Sequence, residues 1–192
     1  MILADHQIKA LCEKPERAMI FPFVPCQVRY DGLSEDGHVI SYGLTSYGYD
    51  ARLSSEFKVV DRNFRGTIDP KNLDPSVFLT FTADRYLELP PNGFVLGRTL
   101  ERFVMPPDVV AVCYAKSTYA RCGIVVGVTP IEPGWEGYVT LEFSNTSSAW
   151  ARIYVGEGIC QFRFHRGEPC TVTYADRDGK YQNQVGVVLP RM

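Results

Sequence analysis

Tyr138-Val139-Thr140-Leu141-Glu142-Phe143-Ser144 alternates residue by residue. Successive side chains of a strand point to opposite faces of its sheet. Val139, Leu141 and Phe143 therefore share an apolar face, and Tyr138, Thr140, Glu142 and Ser144 share the other. That period of two marks a half-buried strand. The same kind of run recurs on both sides of it. Segments 39–42, 49–53, 57–60, 77–81, 86–89, 94–98, 109–114, 151–155, 159–165 and 171–174 are short and rich in β-branched and aromatic residues, with Pro, Gly, Asn and Asp between them. Many short strands at near-regular spacing predict a mainly β chain, closed or sandwiched.

Two stretches depart from that pattern. Ile2, Leu3, Ile8, Leu11 and Cys12 recur at helical spacing with Asp5, Lys9 and Glu13 between them, which predicts a helix within 1–14 that Pro15 ends. Ser117-Thr118-Tyr119-Ala120-Arg121-Cys122 followed by Gly123 predicts a short helix with a Ser or Thr N-cap and a glycine stop. The end of the chain, 176–192, opens with a polar run through Gln184 beyond the last strand-like segment. It reads as a solvated tail or as a lid. Lys180, Tyr181, Gln182 and Gln184 suit a phosphate and a base edge, which favours the lid. At 192 residues the chain is expected to form one domain, 1–192. A chain of that size buries roughly 70% of its unfolded surface without help from disulfides or metal.

The bulk charge narrows the partners. A net charge of −2 and a pI near 5.9 argue against a nucleic-acid surface. No apolar run reaches the ~20 residues of a membrane span, and the first residues lack the basic-then-apolar order of a signal peptide. A cytoplasmic protein is expected. Cys12, Cys26, Cys113, Cys122, Cys160 and Cys170 contain no C-x-x-C pair. They read as small hydrophobic residues in a reducing compartment, without the paired spacing of a zinc site.

Chemistry concentrates in two places. Lys116, Ser117, Thr118 and Arg121 fall within a turn and a half of helix. Hydroxyls, a bidentate guanidinium and a helix N-terminus together suit a phosphate. The alternative is an ordinary helix with solvated basic ends. The G-x-x-x-x-G-K pattern of a Walker A loop is missing. Glu142 is the second place. A lone Glu on the outer face of a strand is ordinarily solvated. On a face that lines a pocket its pKa would rise, and it could shuttle protons. Between the two, Glu132-Pro133-Gly134-Trp135-Glu136-Gly137 is a turn whose Trp135 supplies a large apolar plate.

The order K-S-T-Y-A-R-C-G (116–123) and V-T-P-I-E-P-G-W-E-G-Y-V-T-L-E-F-S-N (128–145) closely resembles the dCTP deaminase family of the dUTPase-like superfamily. S-Y-G-L-T-S-Y-G-Y-D (41–50), E-F-K-V (56–59), I-D-P-K (68–71) and G-K-Y-Q (179–182) match it too, so the likeness runs from about the first helix to the C-terminus. The resemblance implies a distorted jelly-roll, β-clip subunit with a few short helices, assembled as a homotrimer with sites between subunits. It implies hydrolytic deamination of dCTP to dUTP and ammonia, feeding pyrimidine deoxynucleotide (dUMP and dTTP) synthesis. Carried over residue by residue, it makes Glu142, Ser117 and Arg121 catalytic. Lys116, Ser117, Thr118, Tyr119, Ala120, Arg121, Trp135, Thr140, Leu141, Glu142, Gln161, Tyr174, Lys180 and Gln184 would contact substrate. It places Mg²⁺ on the triphosphate rather than in a protein cage, with dTTP as a candidate inhibitor.

Zinc-dependent cytosine deaminases carry H-x-E and P-C-x-x-C. His6, His38 and His165 have no Glu two residues on, so a deaminase built from this chain would activate water without zinc, with Glu142 as base. Gly127 stands where many relatives carry Asn or His, and Gly134 where close ones carry Glu. The first rival reading is a bifunctional enzyme that also cleaves dUTP to dUMP. The turn Thr129-Pro130-Ile131-Glu132-Pro133-Gly134-Trp135 resembles the single-activity branch instead. The second rival is a nucleotide-binding regulatory trimer without turnover.

Overall fold

The computed structural model describes residues 1–14, 17–32 and 37–191. Pro15, expected to end the first helix, and Met192 of the tail lie outside the described residues. The chain is mainly β. Its first helix, α1 (Asp5–Cys12), buries Ile8, Leu11 and Cys12, as the helical spacing predicts. The Ala4 N–H donates to the Gln7 side chain (2.9 Å), which satisfies one of the donors a helix start leaves open.

Thirteen strands follow among the described residues: β1 (Ile20–Phe21), β2 (Gln27–Tyr30), β3 (His38–Thr45), β4 (Gly48–Arg52), β5 (Glu56–Val60), β6 (Phe78–Thr82), β7 (Tyr86–Leu89), β8 (Phe94–Val104), β9 (Val109–Ala115), β10 (Ile124–Gly127), β11 (Glu136–Asn145), β12 (Ala151–Tyr154) and β13 (Gly158–Arg166). A single-turn helix, α2 (Ser117–Ala120), joins β9 to β10. One sheet runs β10-β11-β8-β5-β6, with β1 also on β8; a second runs β2-β3-β4-β13-β9; β12 and β7 form a separate pair. The pairings are antiparallel.

The two large sheets face each other as a distorted jelly roll. Phe103 of β8 and Phe162 of β13 meet across the interface with ring centroids 4.8 Å apart. Tyr49, Phe57, Phe143 and Phe164 are fully buried with them. A charged group also sits in this core. Glu101 on β8 is fully buried and takes the Arg52 Nε (2.7 Å) and backbone N–H (2.9 Å), with the Tyr49 hydroxyl at 3.3 Å. Desolvation pushes the Glu101 carboxyl upward, and the Arg52 guanidinium opposes it.

Several local expectations change. β8 runs to Val104, well past the run ending at Arg98. The segment 171–174 is not a strand. Asp176 there accepts from the Thr173 N–H (2.8 Å) and hydroxyl (2.7 Å), which closes a local turn in place of a ladder. The N-cap of α2 is Lys116, with no side-chain capping bond, so Ser117 and Thr118 lie inside the helix instead of capping it.

Candidate active site

β11 has the alternation its sequence predicts. Val139, Leu141 and Phe143 are buried, and Tyr138, Thr140, Glu142 and Ser144 are only partly so. Glu142 pairs with Leu96 of β8 on one side and with Gly127 of β10 on the other. The register slips between Tyr138 and Thr140, and the Val139 N–H donates to the buried Thr99 hydroxyl (3.0 Å). Thr99 thus satisfies the residue that the bulge would leave unpaired.

The surroundings of Glu142 are unlike those of Glu101. Among the described residues no side chain bonds or ion-pairs with its carboxyl. Burial without a cation pushes its pKa up from 4.5 to about 7, and only its own backbone N–H opposes the rise. A carboxyl so placed is part acid and part base at neutral pH, as a group that takes and returns a proton needs. Gly127 lies directly beside it, since a Cβ there would sit in contact with Glu142 Oε2 at 3.4 Å.

The phosphate-type residues fall into two sets. Ser117, Thr118 and Arg121 are exposed on and just after α2, and neither hydroxyl has a side-chain bond among the described residues. The Arg121 Nη1 leans on the Ser117 carbonyl at 3.4 Å. α2 is four residues long, so it supplies little of the dipole expected of a helix N-terminus. Lys116 is occupied elsewhere. Its Nζ is 2.5 Å from Asp50 Oδ2, and that buried carboxylate also accepts from Gln161 Nε2 (3.1 Å) and Gln27 Nε2 (3.2 Å). Tyr119 turns into the core, where its hydroxyl accepts the Tyr154 N–H (2.9 Å), and burial raises its pKa. Leu141 is fully buried, so contact from either residue to a ligand would pass through backbone. Ala120 is exposed beside Arg121.

The end of the chain folds back on β11. The Tyr138 N–H donates to the Gln184 carbonyl (3.0 Å), and the Asn183 N–H to that of Glu136 (2.9 Å). Trp135 Nε1 donates to the Tyr181 carbonyl (2.8 Å), and the Tyr181 N–H to the Tyr174 hydroxyl (3.0 Å). The Gln184 side chain, buried, meets the Thr140 hydroxyl at 3.2 Å, two residues from Glu142. Gly137 permits the approach, because a Cβ there would lie 2.7 Å from the Gln184 nitrogen. The segment is therefore docked on β11 and not a solvated tail. Lys180 alone among the expected contacts on it is exposed.

One group thus comprises Glu142, Thr140 and Gln184; Trp135 and Tyr174 join through Tyr181 at the start of β11, seven residues along the strand from Glu142; and another group comprises Lys116 and Gln161 on the opposite sheet. No bond joins Glu142 to Ser117 or Arg121 among the described residues. Three contributors escaped the sequence reading: Asp50, Thr99 and Glu56. Glu56 accepts from Arg98 Nε (3.1 Å) and the Val187 N–H (3.1 Å), and so pins the tail. Asp50 carried a signal, as a carboxylate inside the strand run Tyr49–Leu53, but without its partners it had no role.

A family described as dCTP deaminase-like matches residues 2–167. A protein named dCTP deaminase from Acidobacterium capsulatum is 54% identical over 192 residues, covering 100% of this chain and 99% of its own length. One from Orientia tsutsugamushi (strain Ikeda) is 51% identical over 190 residues, with 98% of each chain covered. Among solved structures, 2'-deoxycytidine 5'-triphosphate deaminase from Agrobacterium tumefaciens superposes with a TM-score of 0.58 at 20% identity, over 86% of this chain. The matched region is 48% of that longer chain, and at this identity the likeness concerns the fold.

Proposed function

The chain belongs to the dCTP deaminase-like family, and on that premise we propose that it hydrolyses dCTP to dUTP and ammonia with Glu142 as the proton-transfer group. The observation that carries the assignment of Glu142 is a carboxyl raised to about 7 by burial, with no cation bonded to it among the described residues and a glycine, Gly127, paired beside it. Glu142 takes a proton from water as the oxygen bonds to C4 of the cytosine, and that proton passes to N3. It then carries the remaining hydroxyl proton to the amine. The C4–N bond breaks, ammonia leaves, and the C4 carbonyl of uracil forms. Each transfer uses one group twice, which suits a pKa near the working pH.

Substrate binding falls to the exposed donors. Ser117, Thr118 and Arg121 suit the triphosphate oxygens, and Lys180 suits them from the tail. Mg²⁺ bound through the triphosphate would screen its charge. These donors fit that arrangement, because they include no carboxylate that would hold the ion itself. Lys116 contributes by holding Asp50 and Gln161 in place in this conformation, and would reach phosphate only by leaving Asp50. Thr140 and Gln184, bonded to each other, stand beside Glu142 where the base would lie.

We further propose a homotrimer in which Ser117 and Arg121 of one subunit complete the site that holds Glu142 of another. The family resemblance supports it, and so does the lack of any bond between these residues within the described chain. dTTP, which shares the triphosphate and a pyrimidine, is the candidate inhibitor, and the cytoplasm the expected compartment. Product analysis tests the function. Incubation with dCTP and Mg²⁺ is expected to release one ammonia for each dUTP, without dUMP. Formation of dUMP would favour the bifunctional reading; tight dCTP binding with no product would favour the regulatory one.

A further inference from the structure

We propose that Glu56 is a positioning residue for the reaction: its carboxylate holds the Arg98 guanidinium away from Glu142, so that the carboxyl that moves the proton keeps no cation beside it. The inference rests on the deaminase reading of Glu142. Thr140 and Glu142 share one face of β11, with Arg98 and Leu96 of β8 directly opposite them. Arg98 is thus the diagonal neighbour of Glu142 on an adjacent strand. Such neighbours lie roughly 7–8 Å apart, within reach of a long side chain. The guanidinium is nevertheless turned toward β5. Arg98 Nε donates to Glu56 Oε2 (3.1 Å) and Nη1 to the Thr99 carbonyl (3.1 Å), and the group lies 4.5 Å from the centre of the Tyr138 ring. Glu56 is fixed in turn by the end of the chain, whose Val187 N–H donates to its Oε1 (3.1 Å). Gly186 lets the backbone come this close: its φ is 137°, and a Cβ there would lie 3.1 Å from Glu56 Oε1. Burial would raise the Glu56 carboxyl, but the Val187 N–H and Arg98 outweigh it and hold it below the ordinary carboxylate range. Glu56 is therefore ionised wherever Glu142 titrates.

The remaining charged and titratable groups around Glu142 are committed or distant. On β11 itself, Tyr138 lies under Arg98. On β8, Arg102 is opposite Tyr138 and ion-pairs with Glu136 (3.3 Å). On β5, Lys58 pairs with Leu96 and so is two strands from Glu142, about 10 Å at the usual strand spacing. It donates to the Thr80 hydroxyl (2.9 Å). β6, β10 and residues 184–188 carry no charged side chain. Around α2, which packs on β10, Lys116 is bound to Asp50, and the Arg121 guanidinium leans on the Ser117 carbonyl (3.4 Å). Arg98 is thus the cation that strand register sets beside Glu142, and Glu56 is the anion that competes for it. A released guanidinium would meet a carboxylate in a partly buried place. An opposite charge that close favours the ionised form and lowers the pKa. Glu142 would then be a weaker base.

Glu56→Gln in the full-length protein tests this. The variant keeps the shape and one acceptor for the Val187 N–H, but its amide turns a donor toward Arg98 in place of an anion. The limb on which kcat for dCTP rises with pH should move to lower pH by about one unit or more. Above that limb kcat should fall on the order of tenfold, since a weaker base takes the proton. Glu56→Gln combined with Arg98→Met should return the limb to its wild-type position, because the cation is gone. A merely structural role for Glu56 would leave the two variants alike. A readout apart from turnover is the melting temperature at about pH 8.5, where Glu142 is ionised at a cost to the fold. Glu142→Gln should raise it in the wild-type protein and not in Glu56→Gln, where Arg98 already stabilises the anion. An unmoved limb in Glu56→Gln would overturn the proposal. So would an equal shift in the double variant, or a gain from Glu142→Gln that is the same in both backgrounds. Wild-type protein and Glu142→Gln assayed alongside keep the two readings apart. An inactive wild type, or near-normal turnover by Glu142→Gln, defeats the deaminase reading of Glu142. An active wild type with inactive Glu142→Gln and an unmoved limb in Glu56→Gln defeats only the role of Glu56.

Discussion

Glu142→Gln should destroy activity and stabilise the protein, and the second effect can be worked from the site. Gln keeps the shape of the side chain but cannot take a proton. One acid–base group contributes ~10²–10⁴ in rate, and in the proposed mechanism Glu142 serves twice, so kcat should fall by at least the upper part of that range while dCTP still binds. The stability gain comes from burial. The Glu142 carboxyl has its pKa raised from 4.5 to about 7. A folded-state pKa above the unfolded one means the protonated side chain favours the fold. That favourable contribution is complete below the unfolded pKa and is lost as pH rises through the folded one. Each tenfold change in the ionisation constant is worth ~1.36 kcal/mol, which sets a ceiling of ~3 kcal/mol. The carboxyl is only partly buried, so solvent screening reduces this to about 1–2 kcal/mol. For a chain of this length that corresponds to roughly 2–8 °C in melting temperature. Melting curves of the two proteins should therefore diverge at about pH 8.5, with the variant higher, and converge near pH 5. A variant that is equally stable at both pH values, or less stable at the higher one, would refute the unpaired, desolvated carboxyl. Near-normal turnover would refute its role in proton transfer.

Three other outcomes follow from the same geometry. Arg121→Ala should reduce turnover at saturating dCTP more than Lys180→Ala, because Arg121 directly follows α2 and a guanidinium can bind phosphate bidentately, whereas Lys180 adds a single exposed charge; equal losses or the reverse order would count against this. Zinc-selective chelation followed by added Mg²⁺ should leave activity intact, and stoichiometric zinc whose removal alone abolishes turnover would defeat the mechanism. Glu142→Gln and Arg121→Ala proteins, each inactive, should regain activity when dissociated and reassembled together, since some mixed sites then hold both native groups. No recovery would place both residues on one subunit.

What the sequence made legible was periodic. The alternation of 138–144 put Glu142 on the right face, and the spacing of Ile8, Leu11 and Cys12 gave the buried side of α1. What it hid was contact over long separation. Thr140 and Gln184 are 44 residues apart, and Trp135 and Tyr181 are 46; a polar run such as 176–184 reads as a solvated tail or a lid, and the sequence does not show that β11 receives it. Short strands were also lost. Ile124–Gly127 has four residues, too few for periodicity to separate from a loop, yet it is the strand that faces Glu142. The opposite error arose at 171–174, where β-branched and aromatic residues suggested a strand but Thr173 had a nearer partner in Asp176. Among the site residues, chemistry was readable and availability was not. Lys116 was identifiable as a cation, but its engagement with Asp50 depends on β4 and β9 lying on either side of β13.

The contrast between Glu101, which is fully buried, and Glu142, which is partly so, shows what separates a structural carboxyl from one suited to proton transfer. Glu101 is the more deeply buried, and desolvation alone would make it the stronger base. Its oxygens are nevertheless committed: Arg52 approaches through both side chain and backbone, and Tyr49 closes the remaining side. A proton moving on or off Glu101 would break an ion pair inside the core, so its charge is structural. Glu142 has given up such partners. A cation at hydrogen-bond distance would draw its pKa back toward the ordinary carboxylate range and leave it a weak base at neutral pH. The cost of holding an unpaired carboxyl in a partly buried place falls on the stability of the fold, and active sites commonly carry such a cost. Arg98, the nearest strand neighbour able to relieve it, is held away by Glu56 and by the Tyr138 ring. Loss of Glu56 would therefore do more than loosen the tail at Val187: it would free a guanidinium two residues along the neighbouring strand from the position opposite Glu142, and the proposed proton-transfer group would be held as its anion.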